Sequence, residues 1–280
     1  MVKVVVGIDF ENYQKAIALL KALRFEQAEA HLLHVVESIF PDKSFPSLSE
    51  GHPMAEVFAE MEERGQAELA NAAALIAGSG YVATTERLKG DPARRLIETA
   101  TRRNADLIAV GAQPKTAWES LFYGSISKAL SSSAEQSILV AKSEPKSTEA
   151  LTAVLATDHS TYCDQSIEKF MSWKAHGVGR LLILTAIEAK AVADAGEWKE
   201  MAVDKNQALC DRFSALGIEC QSRVTEGRAQ QVIASAMKET ASDLLIMGAR
   251  GHGFWDRARL GSVSHFELVA SPHNVLVMRV

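Results

Sequence analysis

The sequence is poor in cysteine, proline and aromatic residues, and it carries no excess of positive charge. Its three cysteines, Cys163, Cys210 and Cys220, are odd in number and show no Cys-x-x-Cys spacing, which argues against a zinc site or a disulfide framework. We therefore expect free thiols in a reducing cytosol. The formal net charge of −5 argues against a nucleic-acid partner and against a polybasic membrane-binding surface.

Long hydrophobic runs are also missing. The longest apolar runs have the length of strands, so we expect no transmembrane span. The N-terminal segment reaches Asp9 without the apolar stretch and the small-residue cleavage site that mark a secretory signal. Together with the cysteine usage, these absences predict a cytoplasmic location.

Common catalytic motifs are absent as well. The sequence contains no G-x-S-x-G, no H-E-x-x-H and no Walker-type phosphate loop. The spacing of its histidines is not typical of a metal site. We therefore expect no dedicated catalytic residue and no metal site built from protein ligands.

What the sequence does contain is an internal repeat. Residues 90–111 and 227–248 have the same length, begin and end on glycine, and place an aspartate before an apolar run. The same spacing between the copies continues to the apolar runs near the end of each copy. A chain of 280 residues is long enough for two domains of ordinary size.

Each copy alternates short apolar runs with longer helical patterns, which predicts β-α-β units and a parallel sheet. The sequence thus predicts an α/β fold: two tandem copies of a Rossmann-like domain with a five-stranded parallel sheet in strand order 3-2-1-4-5. The expected boundaries are 1–142 for the first copy, 143–150 for a polar linker and 151–280 for the second copy. The closing runs 137–141 and 274–278 would lie at sheet edges and pair with each other, giving an internal pseudo-dimer.

A glycine-rich loop follows the fourth predicted strand of the second copy. Gly248, Gly251 and Gly261 precede Ser262, which begins a predicted helix. Ligands of a parallel α/β sheet bind beyond the carboxyl ends of the strands. Glycines there let backbone N–H groups approach a phosphate, and a helix N-terminus adds free donors. Asp158 ends the first strand of this copy, so we expect its carboxylate to face the same crevice.

This loop resembles a known signature. The pattern G-x2-G-x9-G-[ST], the ATP-binding signature of universal stress proteins, is matched by Gly248, Gly251, Gly261 and Ser262. Residues 156–160 (Ala-Thr-Asp-His-Ser) resemble the opening strand of that family, and residues 33–37 (Leu-His-Val-Val-Glu) resemble its second strand. The resemblance covers nearly all of both copies, so the chain is identified as a tandem universal stress protein.

The resemblance implies roles for residues of the second copy. Asp158 would contact the ribose or the adenine, and the backbone of Leu184 would contact the adenine, with Ala156 near it. The phosphates would be held by Gly248, Gly251, Gly261, Ser262 and Val263. The implied ligand is ATP, or ADP or AMP, and members of this subtype often carry a divalent metal such as Mg²⁺ on the phosphates.

The first copy departs from the signature. It keeps Asp9, Gly111, Gly124 and Ser125, but Pro114 stands where the second glycine belongs. Proline has no N–H and a fixed φ, so this loop loses a donor and a flexible joint. We therefore expect one nucleotide per chain, bound by the second copy.

Three functions remain open. The leading hypothesis is an ATP-binding regulatory or stress-response protein that is not a dedicated enzyme. It would signal through a change of shape or through an unidentified protein partner. The second is a slow ATPase or phosphotransfer protein that uses the same loop, with His252 or Asp256 to orient water. The third is an interaction scaffold in which both clefts are vestigial. Arg250 and His252 are also candidates for phosphate contacts. The tandem chain could be a monomer or form a homodimer with a second chain, and we favour the homodimer.

Overall fold

The computed structural model of the chain describes residues 1–37, 53–113, 125–147, 149–188, 195–251 and 260–280. Strands and helices alternate in both copies. The first copy contains β1 (Val2–Ile8), α1 (Tyr13–Leu23), β2 (Ala28–Glu37), α2 (Pro53–Ile76), β3 (Tyr81–Gly90), α3 (Pro92–Arg102), β4 (Leu107–Gly111), α4 (Ser125–Ser133) and β5 (Ser137–Ala141). The second copy contains β6 (Leu151–Ala156), α5 (Thr161–Ser172), β7 (Val178–Ile187), α6 (Ala195–Ala215), β8 (Glu219–Glu226), α7 (Ala229–Glu239), β9 (Leu244–Gly248), α8 (Ser262–Val269) and β10 (Val275–Met278).

All of these strands belong to one ten-stranded sheet with the order β3-β2-β1-β4-β5-β10-β9-β6-β7-β8. Within each copy the strands are parallel and follow the predicted order 3-2-1-4-5. The copies meet through β5 and β10, which pair antiparallel with Leu139 opposite Leu276. The predicted pairing of the closing strands is therefore confirmed. The boundaries 1–142, 143–150 and 151–280 stay predictions.

Helices cover both faces of the sheet, which explains why the central strands are apolar throughout. In β1, Val4 and Val6 point into one core, whereas Val5 points into the other. The first core also takes in buried residues of α1, α2, α5 and α6, and the second takes in those of α3, α4, α7 and α8. Both cores continue from one copy into the other, because the central strand pair leaves no sheet edge between them.

One expectation about the cysteines is wrong. Cys210 of α6 and Cys220 of β8 form a disulfide, whereas Cys163 is a buried free thiol. The helix packs back on the next strand and brings the two Cα atoms to 5.2 Å, which is within the normal range for a disulfide. The cytoplasmic location loses one of its supporting arguments and stays a prediction. Among the described residues, none of the helices combines the length and apolarity needed to cross a membrane.

Candidate functional site

A cleft of about 650 Å³ opens in the second copy at the carboxyl ends of β6, β7 and β9. This is the place where a parallel α/β sheet can bind a ligand, since the strand order reverses direction there. The structure brings all of the predicted site residues together in its lining: Ala156, Asp158, Leu184, Gly248, Gly251, Gly261, Ser262 and Val263. Their roles toward a ligand stay predictions, but their convergence is a property of the fold.

Strand register explains this convergence. Ala156 pairs with Leu184 of β7 on one side and with Met247 of β9 on the other. β6 and β9 therefore end within one residue of each other, and β7 continues three residues further, to Ile187. The loops that follow β6 and β9 leave the sheet side by side. Residues far apart in sequence meet at one edge because neighbouring strands run in the same direction.

The loop after β6 and the loop after β9 touch each other through Asp158 and Gly251. Oδ1 of Asp158 accepts a hydrogen bond from the backbone N–H of Ser160 at 3.0 Å. Its Oδ2 lies so close to Gly251 that a Cβ built on this glycine would be 2.1 Å away. Glycine at position 251 thus leaves the space that the carboxylate occupies.

The N-terminus of α8 lines one end of the cleft with Gly261, Ser262, Val263 and Ser264. Gly261 is the N-cap residue, and within the described part of the chain no side chain caps this helix. The N–H of Gly261 donates to the carbonyl of Ala249, and the hydroxyl of Ser264 donates to the carbonyl of Gly248, so the loop ends are held by the protein itself. The free N–H groups of the first turn and the exposed Ser262 hydroxyl are available to an anion.

The opposite end of the cleft is apolar. It is lined by Ala186, Ile187, Trp198, Ala229 and Ile233, with Glu188 at the rim. Trp198 lies in the first turn of α6 and is half-buried. The sequence gives no sign of its role, because Trp198 lies outside the signature and reaches the cleft only through the packing of α6. A flat apolar surface of this kind suits an aromatic base.

Two further side chains decide what the cleft can do chemically. Arg250 lines it, with its guanidinium carbon 4.8 Å from the centroid of the Tyr162 ring, so a cation lies at the site as the sequence suggested. Cys163 lies beneath Gly248, and burial raises the pKa of its thiol to about 11. This thiol is protonated at neutral pH and is not an activated nucleophile.

The equivalent loops of the first copy make different contacts. Asp9 accepts a hydrogen bond from the backbone N–H of Asn12 at 2.7 Å, so its carboxylate caps the start of α1. The carbonyl of Asn12 lies against Gly111, where a Cβ would be 1.9 Å from that oxygen. Lys15 donates to the carbonyl of Ala112 at 3.1 Å and ties the two loops together.

These contacts of Asp9, Asn12 and Lys15 are features of the first copy that the sequence did not indicate. Pro114 lies outside the described ranges, so its predicted effect stays a prediction. Gly124 of the first copy and His252 and Asp256 of the second also lie outside them. Within the described parts of the chain, histidine, cysteine and acidic side chains form no group of three that could hold a metal ion.

Comparisons with known proteins agree with this architecture. The family model described as the universal stress protein family matches residues 1–142 and 152–279. A universal stress protein of Methanocaldococcus jannaschii is 28% identical over 139 residues, which cover 50% of this chain and 78% of that protein.

Two solved structures match nearly the whole chain. A universal stress protein from Archaeoglobus fulgidus DSM 4304 is 22% identical, with a TM-score of 0.71 and coverage of 99% of this chain and 96% of that chain. A protein of Pseudomonas aeruginosa PAO1 is 15% identical, with a TM-score of 0.61 and coverage of 99% and 92%. At these identities the two structures show a common fold.

Proposed function

The chain belongs to the universal stress protein family, and from this membership we propose that it is a regulatory protein of the stress response that binds one adenine nucleotide, ATP, ADP or AMP, in its second copy. The observation that carries the proposal is the convergence of the signature glycines, Ser262 and Asp158 on a single cleft. Its volume of about 650 Å³ lies within the range of small-molecule sites.

The phosphates would lie at the N-terminus of α8. The first-turn N–H groups and the Ser262 hydroxyl supply donors, and the helix dipole places partial positive charge at this end. Gly248 and Gly251 let the backbone approach the phosphate oxygens, because neither carries a side chain in the way. Arg250 lines the same cleft and adds a positive charge. Any Mg²⁺ would be held through the phosphates.

The nucleoside would lie between the strand ends and α6. The Asp158 carboxylate can accept hydrogen bonds from ribose hydroxyls or from an amino group. Ala156 and Leu184 form the wall at the strand ends, and Trp198 with Ile187 offers an apolar surface to the base. In the first copy the Asp9 carboxylate accepts from the backbone N–H of Asn12 at the start of α1, and the Asn12 carbonyl lies against Gly111, which supports a stoichiometry of one.

Mass spectrometry of the small molecules released from the purified, denatured chain tests the proposal. We expect an adenine nucleotide at close to one equivalent per chain, and calorimetric titration of the stripped protein with ATP should give the same stoichiometry. A chain that retains no nucleotide and gives no heat with ATP, ADP or AMP is the scaffold of the third hypothesis. Steady conversion of labelled ATP to ADP would replace the proposal with a slow ATPase.

We also propose that two tandem chains associate into a homodimer. The outer strands β3 and β8 are largely exposed at the two ends of the sheet, and exposed edges are common sites of association. Light scattering should then give twice the chain mass of 30.4 kDa. A mass equal to that of a single chain at micromolar concentration would contradict this proposal.

A further inference from the structure

Three polar side chains form a buried cluster that includes His159, the residue after Asp158. His159, Thr185 and Asn206 are 6%, 0% and 0% exposed. Nε2 of His159 lies 2.9 Å from Oδ1 of Asn206, and the Thr185 hydroxyl donates to the same oxygen at 3.1 Å. The amide nitrogen of Asn206 donates to the carbonyl of Arg223 at 3.2 Å. The cluster therefore joins the loop after β6 to β7, α6 and β8.

The hydrogen-bond partners identify which atom of each side chain is the donor and which is the acceptor. Because the Asn206 amide nitrogen is used by the Arg223 carbonyl, its Oδ1 faces the other two side chains and accepts from both. His159 must then donate from Nε2. Burial lowers the pKa of His159, so the ring is neutral at physiological pH and carries its proton on this nitrogen.

His159 also has an unusual backbone conformation. Its φ is 55°, in the left-handed region that residues with a Cβ rarely adopt. Such a conformation persists only when the surroundings hold it in place. Here its N–H donates to the Thr157 hydroxyl at 3.0 Å and its ring is held by Asn206. The turn lies immediately after Asp158 and sets the direction in which that carboxylate points.

The first copy provides a comparison within the same chain. Strand register and repeat spacing place Phe10 opposite His159, His34 opposite Thr185 and Leu69 opposite Asn206. Phe10 does not adopt a left-handed conformation, and Asp9 is turned into the start of α1. A hydrogen bond like that of His159 and Asn206 cannot form between phenylalanine and leucine. The copy without this hydrogen bond is the copy in which the carboxylate of the equivalent acid, Asp9, accepts from the N–H groups of Asn12 and Tyr13.

Buried polar groups cost free energy that an apolar core would not require, and the first copy builds this region with apolar residues at two of the three positions. We propose that His159 and Asn206 are positioning residues for the nucleotide cleft: their hydrogen bond holds the left-handed turn that presents Asp158 to the ligand. Thr185 supports the same acceptor oxygen. This inference rests on the proposed function of the cleft.

The direct test gives the second copy the residues of the first. The double variant His159→Phe with Asn206→Leu, made in the full chain, should bind ATP about three- to tenfold more weakly. This is the loss expected for one neutral hydrogen bond. Its thermal unfolding temperature should stay equal to that of the unaltered chain or rise. A role limited to stability would give the opposite pattern, with lower stability and unchanged affinity.

A milder pair of variants covers the case in which the double variant does not fold. Thr185→Val removes the hydroxyl at nearly constant shape and should weaken ATP binding. Thr185→Ser keeps the hydroxyl and should bind ATP as tightly as the unaltered chain. Phe10→Leu in the first copy is the matched control and should leave the affinity unchanged.

The outcomes separate the two proposals. If the unaltered chain binds no nucleotide, the proposed function fails and this inference fails with it. If the unaltered chain binds ATP and the double variant, or Thr185→Val, binds it equally well, the positioning role alone is overturned.

Discussion

The carboxylate of Asp158 packs against Gly251 so closely that a Cβ at position 251 would lie 2.1 Å from Oδ2. No residue other than glycine fits there unless the carboxylate moves. The loop after β6 and the loop after β9 are therefore complementary in shape at this contact, and Gly251 is required by the position of the Asp158 carboxylate.

Replacing Gly251 with alanine should displace the Asp158 carboxylate and weaken ATP binding by about tenfold or more, as when a hydrogen bond to a charged group is lost. Calorimetric titration measures the affinity. Because the loss arises from the contact between the two residues, Gly251→Ala should have a much smaller effect in an Asp158→Ala background. Additive effects of the two substitutions would show that the contact does not couple them.

Ser262→Ala should also weaken ATP binding, because it removes a hydroxyl donor at the N-terminus of α8. We expect a loss of about 10- to 100-fold, corresponding to roughly 1.5–3 kcal/mol for a hydrogen bond to a charged group. Ser125→Ala, at the start of α4 in the first copy, is the matched control. If the Ser125 variant loses the nucleotide and the Ser262 variant keeps it, the site lies in the first copy.

Trp198→Ala should weaken ATP binding because it removes the aromatic wall at the apolar end of the cleft. Stacking of a base on an aromatic side chain contributes roughly 1–3 kcal/mol, so a loss of about tenfold is expected. Trp198→Phe keeps an aromatic ring and should retain most of the affinity. Equal binding by the alanine variant would mean that the base lies elsewhere.

Glu267 predicts a pH dependence of stability. This residue of α8 is 1% exposed, and its Oε2 has no hydrogen-bond partner among the described residues. Burial raises the pKa of its carboxyl from 4.5 to about 7, although the nearby Lys142 charge acts in the opposite direction. The folded state favours the protonated form of this carboxyl. The free energy of unfolding is therefore highest below the pKa of the unfolded state and falls as the pH rises through about 7.

Glu267→Gln should therefore raise the free energy of unfolding at about pH 8, by roughly 3 kcal/mol at most, and should have little effect at about pH 4.5. Denaturant unfolding at both pH values measures the difference. Leu130 occupies the equivalent position in the first copy and is fully buried, so Glu267→Leu tests whether the second copy accepts the same apolar core. A variant that is less stable than the unaltered chain at the higher pH would contradict the assignment.

Much of the architecture could be predicted from the sequence, because it depends on local patterns. Apolar runs between helical segments predict parallel strands, and the repeat predicts that both copies share one strand order. The apolar composition of β5 and β10 predicted that these two strands pair. Two exposed apolar edges gain hydrogen bonds and bury surface when they meet. The cleft residues could be predicted for a similar reason: the signature lies within one loop, and parallel strands bring Asp158 to the same edge.

The sequence by itself therefore determined the repeat, the strand order and the loop that can hold a phosphate. Only the tertiary structure decided that the Asn12 carbonyl lies against Gly111, that Trp198 lines the cleft of the second copy, that Cys210 meets Cys220, and that Asn206 binds the His159 ring. These contacts depend on how a helix is rotated and shifted over the sheet. That placement follows from the packing of many side chains at once, which no spacing of residues along the chain records.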